Sequence, residues 1–146
     1  MILLLEDKDD RAAALRDAAH RHTDSAVVRA ATSREALREM ATCDFDLLVL
    51  DHDLDHDGEL KAAETGTGMD VVLALSQNPP SSARPPVIVS SKNLPAAGIM
   101  VATLLAAGYP VAWVPYPHPS GAQMSAMEAA LRGFLPRQEC DSDYAD

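Results

Sequence analysis

Five short runs of consecutive apolar residues recur along this chain: ILLL at 2–5, AVVRA at 26–30, DLLVL at 46–50, PVIVS at 86–90 and VAWV at 111–114. Runs so short and so continuous fit strands buried on both faces, where a sheet with one wet face needs alternation. Helical patterns fill the gaps. From Asp9 to His22, Ala12, Leu15 and Ala19 share one face. Thr32-Ser33-Arg34-Glu35 has the Ser/Thr-x-x-Glu spacing of a capping box, ahead of Ala36, Leu37 and Met40. Gly68 to Gln77 runs through Val71, Val72 and Leu75; Leu94 to Ala107 has Asn93 as its cap, Pro95 in its first turn and Gly108 past its end. Ser120 and Gln123 open a last helix with Met124, Met127, Leu131 and Phe134 on one side. Five strands alternating with five helices predict an α/β fold: a doubly wound parallel sheet, covered on both faces, with right-handed crossovers.

The 146 residues suit one domain, expected over 1–135, with an acidic insert at about 52–67 and a frayed acidic tail from 136 to 146. A net charge of −10 argues against direct binding of DNA, which needs a basic footprint, and against an anionic membrane surface. It suits a divalent cation or a basic protein partner. No apolar run has the length to span a membrane, and MILLLEDKDD is not a secretory signal, so a cytoplasmic location is expected. Cys43 and Cys140 do not make a disulfide framework and read as free thiols.

In doubly wound sheets ligands bind at the carboxyl ends of the strands. Here the first run ends in Glu6 and Asp7, the third in Asp51, His52 and Asp53, and the fourth in Ser90, Ser91 and Asn93. Neighbouring first, third and fourth strands put three acids and two hydroxyls in one crevice. Clustered carboxylates either raise their pKa values or capture a cation. Mg²⁺ takes carboxylates, waters and a phosphate, and neutralises charge on a transferring phosphoryl group. Asp51, first after the buried run, is the candidate nucleophile or metal ligand. Plainer roles stand beside these. Glu6 and Asp7 can cap the first helix; Ser90 and Ser91 can satisfy backbone groups. His52, which the pleat turns from Asp51, can be structural or an acid–base group.

The acidic stretch also fits a calcium loop, with Asp53, Asp55 and Asp57 at positions one, three and five, Gly58 at the sharp turn and Glu64 at position twelve. Its flanks disagree: a strand enters it, and Thr65-Gly66-Thr67-Gly68 interrupts the exiting helix. A solvated acidic insert is the plainer reading of residues 55–66.

ILLLED, TSREALREMATCDFDLLVLD and PVIVS resemble the first, third and fourth strand regions of receiver domains in two-component response regulators. The resemblance covers residues 1–135 and implies a flavodoxin-like three-layer fold with strand order 2-1-3-4-5. It places the phosphoacceptor at Asp51 and the strand-four hydroxyl at Ser90. It gives Mg²⁺ to Glu6, Asp7 and Asp51, with the backbone carbonyl of Asp53. Receivers also carry a Lys, followed by Pro, after strand five, which contacts the phosphoryl group; Val114 stands there, in WVPY. DHDL, TGMDVV, SSKNLPAAGIM and AGYPV resemble a narrower group, the cyclic-phosphate processing receiver domains. There Asp51–Leu54 match one segment, Thr67, Gly68 and Asp70 a second, and Ser91 and Asn93 a third.

The expectation is a stand-alone receiver-like domain with a Mg²⁺-dependent phosphate site, processing cyclic or terminal phosphates of nucleotides or RNA. Ser90, Ser91 and Asn93 would orient phosphate oxygens. The alternatives are a phosphorelay receiver, phosphorylated on Asp51 by a protein phosphodonor, and a degenerate receiver that only binds protein. Pairing of two copies through the last helix and fifth strand accompanies the phosphorelay reading.

Overall fold

The computed structural model describes residues 1–54, 62–80, 83–115 and 122–135. In chain order the elements are β1 (Ile2–Leu5), α1 (Asp9–His20), β2 (Val27–Ala30), α2 (Ser33–Thr42), β3 (Leu47–Leu50), α3 (Ala62–Thr65), α4 (Gly68–Gln77), β4 (Val87–Val89), α5 (Leu94–Ala106), β5 (Val111–Trp113) and α6 (Ala122–Phe134). The strands form one parallel sheet in the order β2-β1-β3-β4-β5. The predicted architecture and strand order hold. The addition is the single turn α3, too short for periodicity to reveal; it ends at Thr65, where the Thr-Gly repeat begins.

Side-chain alternation along each strand explains the continuous apolar runs. Leu3, Leu5, Leu48, Leu50, Val87 and Val89 pack on one face, against Ala36 of α2, Val71, Val72 and Leu75 of α4, and Met100 and Leu104 of α5. Ile2, Leu4, Leu47, Val49 and Ile88 pack on the other, against Ala12, Leu15, Ala18 and Ala19 of α1 and Met127 and Leu131 of α6. The central strands β1, β3 and β4 therefore need apolar residues at every position. The Met stripe of α6 is core, and Met127 is fully buried. The capping signal at α2 also holds: the Thr32 side chain accepts from the Glu35 N–H at 3.2 Å, while Glu35 Oε2 accepts from the Ala31 N–H at 2.8 Å.

Parallel register aligns the strand ends. Leu5 stands beside Leu50, and Leu50 beside Val89. The next residues, Glu6, Asp51 and Ser90, therefore form a row across three adjacent strands. Of the calcium-loop residues, Asp55, Asp57 and Gly58 lie outside the described residues, as does the tail 136–146 with Cys140; Glu64 is exposed on α3. Among the described residues, no helix is long and apolar enough to cross a membrane.

Candidate metal and phosphate site

Glu6, Asp7 and Asp51 meet at the carboxyl edge of β1 and β3. One carboxylate oxygen from each lies within 4.8 Å of the others. All three are buried, at 3%, 1% and 5% exposure. The sequence reading placed these acids in one crevice; it did not foresee what lies between them. Arg11, in the first turn of α1, is itself buried. Its Nη2 donates to Glu6 Oε1 at 2.6 Å, to Asp51 Oδ2 at 3.1 Å and to Asp7 Oδ1 at 3.4 Å, and its Nε donates to Glu6 Oε1 at 3.0 Å. A second arginine clamps the backbone around the acids. Arg29 of β2 donates from Nε to the Glu6 carbonyl at 3.0 Å, from Nη2 to the Asp7 carbonyl at 2.9 Å and from Nη1 to Asp9 Oδ1 at 2.6 Å.

Burial dominates the electrostatics. It pushes the Glu6 carboxyl up to about 7, helped by the nearby Asp51 charge and opposed by the Lys8 N–H and Arg11. It pushes Asp51 up to about 6, against Arg11, the His52 N–H and the Ser91 hydroxyl. One guanidinium among three carboxylates leaves an excess of negative charge that a dication neutralises better. The hard oxygen donors fit Mg²⁺. Arg11 Nη2 already contacts all three acids, so a metal would have to compete with the guanidinium for the same oxygens.

A second hydrogen-bonded set adjoins the triad. Asp51 Oδ1 accepts from the His52 N–H at 2.7 Å. His52 Nδ1 lies 2.6 Å from Asp53 Oδ1, which also accepts from Asn93 Nδ2 at 3.2 Å. Burial alone would raise the Asp53 carboxyl, but these bonds outweigh it and hold the group below its ordinary value. Asn93 Oδ1 caps α5 through the Ala96 N–H, and the Asn93 N–H donates to Ser91 Oγ at 3.2 Å. Ser91 thus links Asp51 to the start of α5. Ser90 is buried at the end of the row, its N–H on the Leu50 carbonyl at 2.8 Å. Val114, where receivers carry Lys, is 3% exposed and belongs to the α1/α6 core.

The TGMD segment holds the backbone behind Asp51. Thr67 and Asp70 form a reciprocal capping box at the start of α4, and Ser33 Oγ donates to Asp70 Oδ2 at 3.0 Å. The Gly68 N–H donates to the His52 carbonyl at 3.0 Å. A Cβ on Gly68 would stand 2.1 Å from the Asp51 carbonyl oxygen, a backbone atom with no room to yield. Gly68→Ala should therefore displace Asp51 and cost about 1–3 kcal/mol in urea denaturation. A variant as stable as the wild type would show that this close approach is not required.

The sheet and its neighbours have solved counterparts. A receiver domain protein from Methanospirillum hungatei, CheY-like, superposes with a TM-score of 0.62 at 17% identity, covering 91% of each chain. A signal receiver domain from Bermanella marisrubri gives 0.64 at 20% identity, over 91% of this chain and 95% of its own. The chemotaxis protein CheY4 of Vibrio cholerae gives 0.60 at 20%, over 92% and 97%. At these identities the likeness establishes the fold. Among curated proteins no sequence matches the chain. The family described as cyclic-phosphate processing receiver domain matches residues 1–106, which include the acidic triad, Arg11, the TGMD segment and the Ser-x-Asn segment. The chain belongs to the cyclic-phosphate processing receiver domain family.

Proposed function

We propose that this domain processes cyclic or terminal phosphates of nucleotides or RNA ends in a Mg²⁺-dependent reaction centred on Asp51. The observation that carries this reading is the convergence of Glu6, Asp7 and Asp51 within 4.8 Å, at the strand ends where the fold binds ligands. Glu6, Asp7 and Asp51 would hold Mg²⁺, which when bound polarises a phosphoryl oxygen and offsets charge building up on it. The chain's own residues do the positioning. Ser91 and the His52 N–H fix the Asp51 carboxylate on one side. The Asp53–Asn93 bond ties the loop after β3 to the start of α5, holding the crevice walls together.

A panel of 2′,3′-cyclic nucleotides, cyclic dinucleotides and phosphomonoesters, incubated with the protein and Mg²⁺, tests the reading. Turnover of at least one is expected, and Asp51→Asn should reduce it at least about a hundredfold, the scale of losing a nucleophile or a charge-stabilising ligand. Turnover indifferent to Asp51→Asn would remove Asp51 from the chemistry.

The receiver fold supports a second reading, phosphorylation of Asp51 by a phosphodonor. Acetyl phosphate or beryllofluoride with Mg²⁺ should then modify the wild type and spare Asp51→Asn. Turnover without an Asp51 adduct decides for the first reading, and an adduct without turnover for the second.

A further inference from the structure

Outside the acid triad, the same crevice holds a concentration of positive charge. A cavity of about 190 Å³ is lined by Lys8, Arg11, Asp51, Asp53 and Lys92. The whole chain has 12 Lys and Arg against 22 Asp and Glu, and three of those twelve line this one cavity. They come from two places in the fold: Lys8 and Arg11 from the N-cap and first turn of α1, and Lys92 from the β4–α5 loop, directly after Ser91. Arg11 is committed to the acids. Lys8 Nζ stands 3.9 Å from Asp7 Oδ2, and Lys92 exerts its charge on Asp53. Both lysines line the same space beside Asp51. Strand five brings no cation here, because Val114 is packed in the opposite core layer.

We propose that Lys8 and Lys92 form a phosphate-holding subsite across the mouth of the crevice, with Lys92 supplying the cation that strand five lacks. This rests on the phosphate reading of the site and names the residues that meet the anion. An acidic crevice repels a phosphate dianion; two ammonium groups among its lining residues offset part of that repulsion. Lysine suits the task, as a compact point charge that binds phosphate without a fixed fork geometry.

Titration of the full chain with inorganic phosphate, followed by calorimetry and by ³¹P NMR in EDTA and again in Mg²⁺, reads the subsite without turnover. Lys92→Met and Lys8→Met keep most of the unbranched side chain and remove the charge. Each should weaken phosphate binding at least fivefold while the melting temperature stays at the wild-type value. Arg132→Met, the same charge change on exposed α6, should leave phosphate binding unchanged. In EDTA, where no metal bridges acid and anion, Asp51→Asn should bind phosphate as well as the wild type or better, since it removes a repelling charge. Wild-type affinity in Lys92→Met overturns the proposal, as does equal weakening in Arg132→Met or no saturable phosphate binding by the folded wild type. If Lys92→Met loses phosphate while Asp51→Asn retains turnover, the subsite stands and the Asp51 chemistry falls.

Discussion

Arg11→Met should lower stability by about 3–5 kcal/mol in EDTA, and Mg²⁺ should restore much of the loss. Removing one partner of a buried ionic network leaves the other charges without compensation in a poorly polarisable site. Here the partner is shared: one guanidinium nitrogen serves Glu6, Asp7 and Asp51 at 2.6, 3.4 and 3.1 Å. Without it, three buried carboxylates face each other within 4.8 Å. Methionine fills a comparable volume, so the loss reports charge more than packing. The same substitution removes the competitor for the acid oxygens. Mg²⁺ should therefore bind Arg11→Met more tightly than the wild type, and stabilise it more at equal concentration, since stabilisation by a ligand grows with the logarithm of its concentration over Kd. Urea denaturation with EDTA and with Mg²⁺, alongside Mg²⁺ calorimetry, measures both effects. A stability loss below 1 kcal/mol with unchanged Mg²⁺ affinity would show that the guanidinium does not hold the triad together.

The role of Arg11 marks where local reading of the sequence ends. An arginine after Asp9-Asp10 at a helix start looks like any solvated charge, and the i,i+4 spacing to Asp7 suggests a surface pair. What buries it is Asp51, forty positions later, and only β1–β3 pairing brings Asp51 near. Arg29 was hidden in the same way: inside AVVRA it reads as a strand residue with a polar tip, and its partners are two backbone carbonyls beyond β1 and the Asp9 carboxylate. The central strands were legible because burial on two faces leaves β1, β3 and β4 no room for polar positions. Glu6, Asp7 and Asp51 were legible as neighbours because a parallel sheet carries its strand ends to one edge. Asn93 was legible as a cap, but its amide nitrogen was not assigned to Asp53, a contact made across two loops. The TGMD segment stands out in the sequence only through family resemblance. Its physical reason, a glycine against the Asp51 carbonyl, is a close approach that spacing cannot show.

In EDTA, stability should fall as pH rises from about 4.5 to 7.5, opposite to the trend expected of a protein held together by ionised carboxylates. The folded state pushes Glu6 from 4.5 up to about 7 and Asp51 from 3.8 up to about 6, burial being the main cause for both. Raised acids bind protons more tightly folded than unfolded. Their contribution is complete below the unfolded values and is lost as pH climbs through the folded ones. At about 1.4 kcal/mol per pKa unit, either group alone accounts for roughly 3 kcal/mol. The pair titrates together, so the two do not simply add. Asp53 and Glu128 are held below their ordinary values, so their contribution is lost only at lower pH and leaves this window clear. Glu6→Gln isolates the effect from histidine titration, because the amide imitates the protonated acid at nearly equal volume. It should be the more stable protein at pH 7.5 in EDTA, with a visibly flatter profile. Saturating Mg²⁺ should flatten the wild type as well, since a dication favours the ionised carboxylates in the folded state and removes the advantage of the bound proton. Parallel profiles for wild type and Glu6→Gln in EDTA would mean that Glu6 is already ionised at low pH, so Arg11 would fully compensate the triad and leave no excess charge for a metal to neutralise.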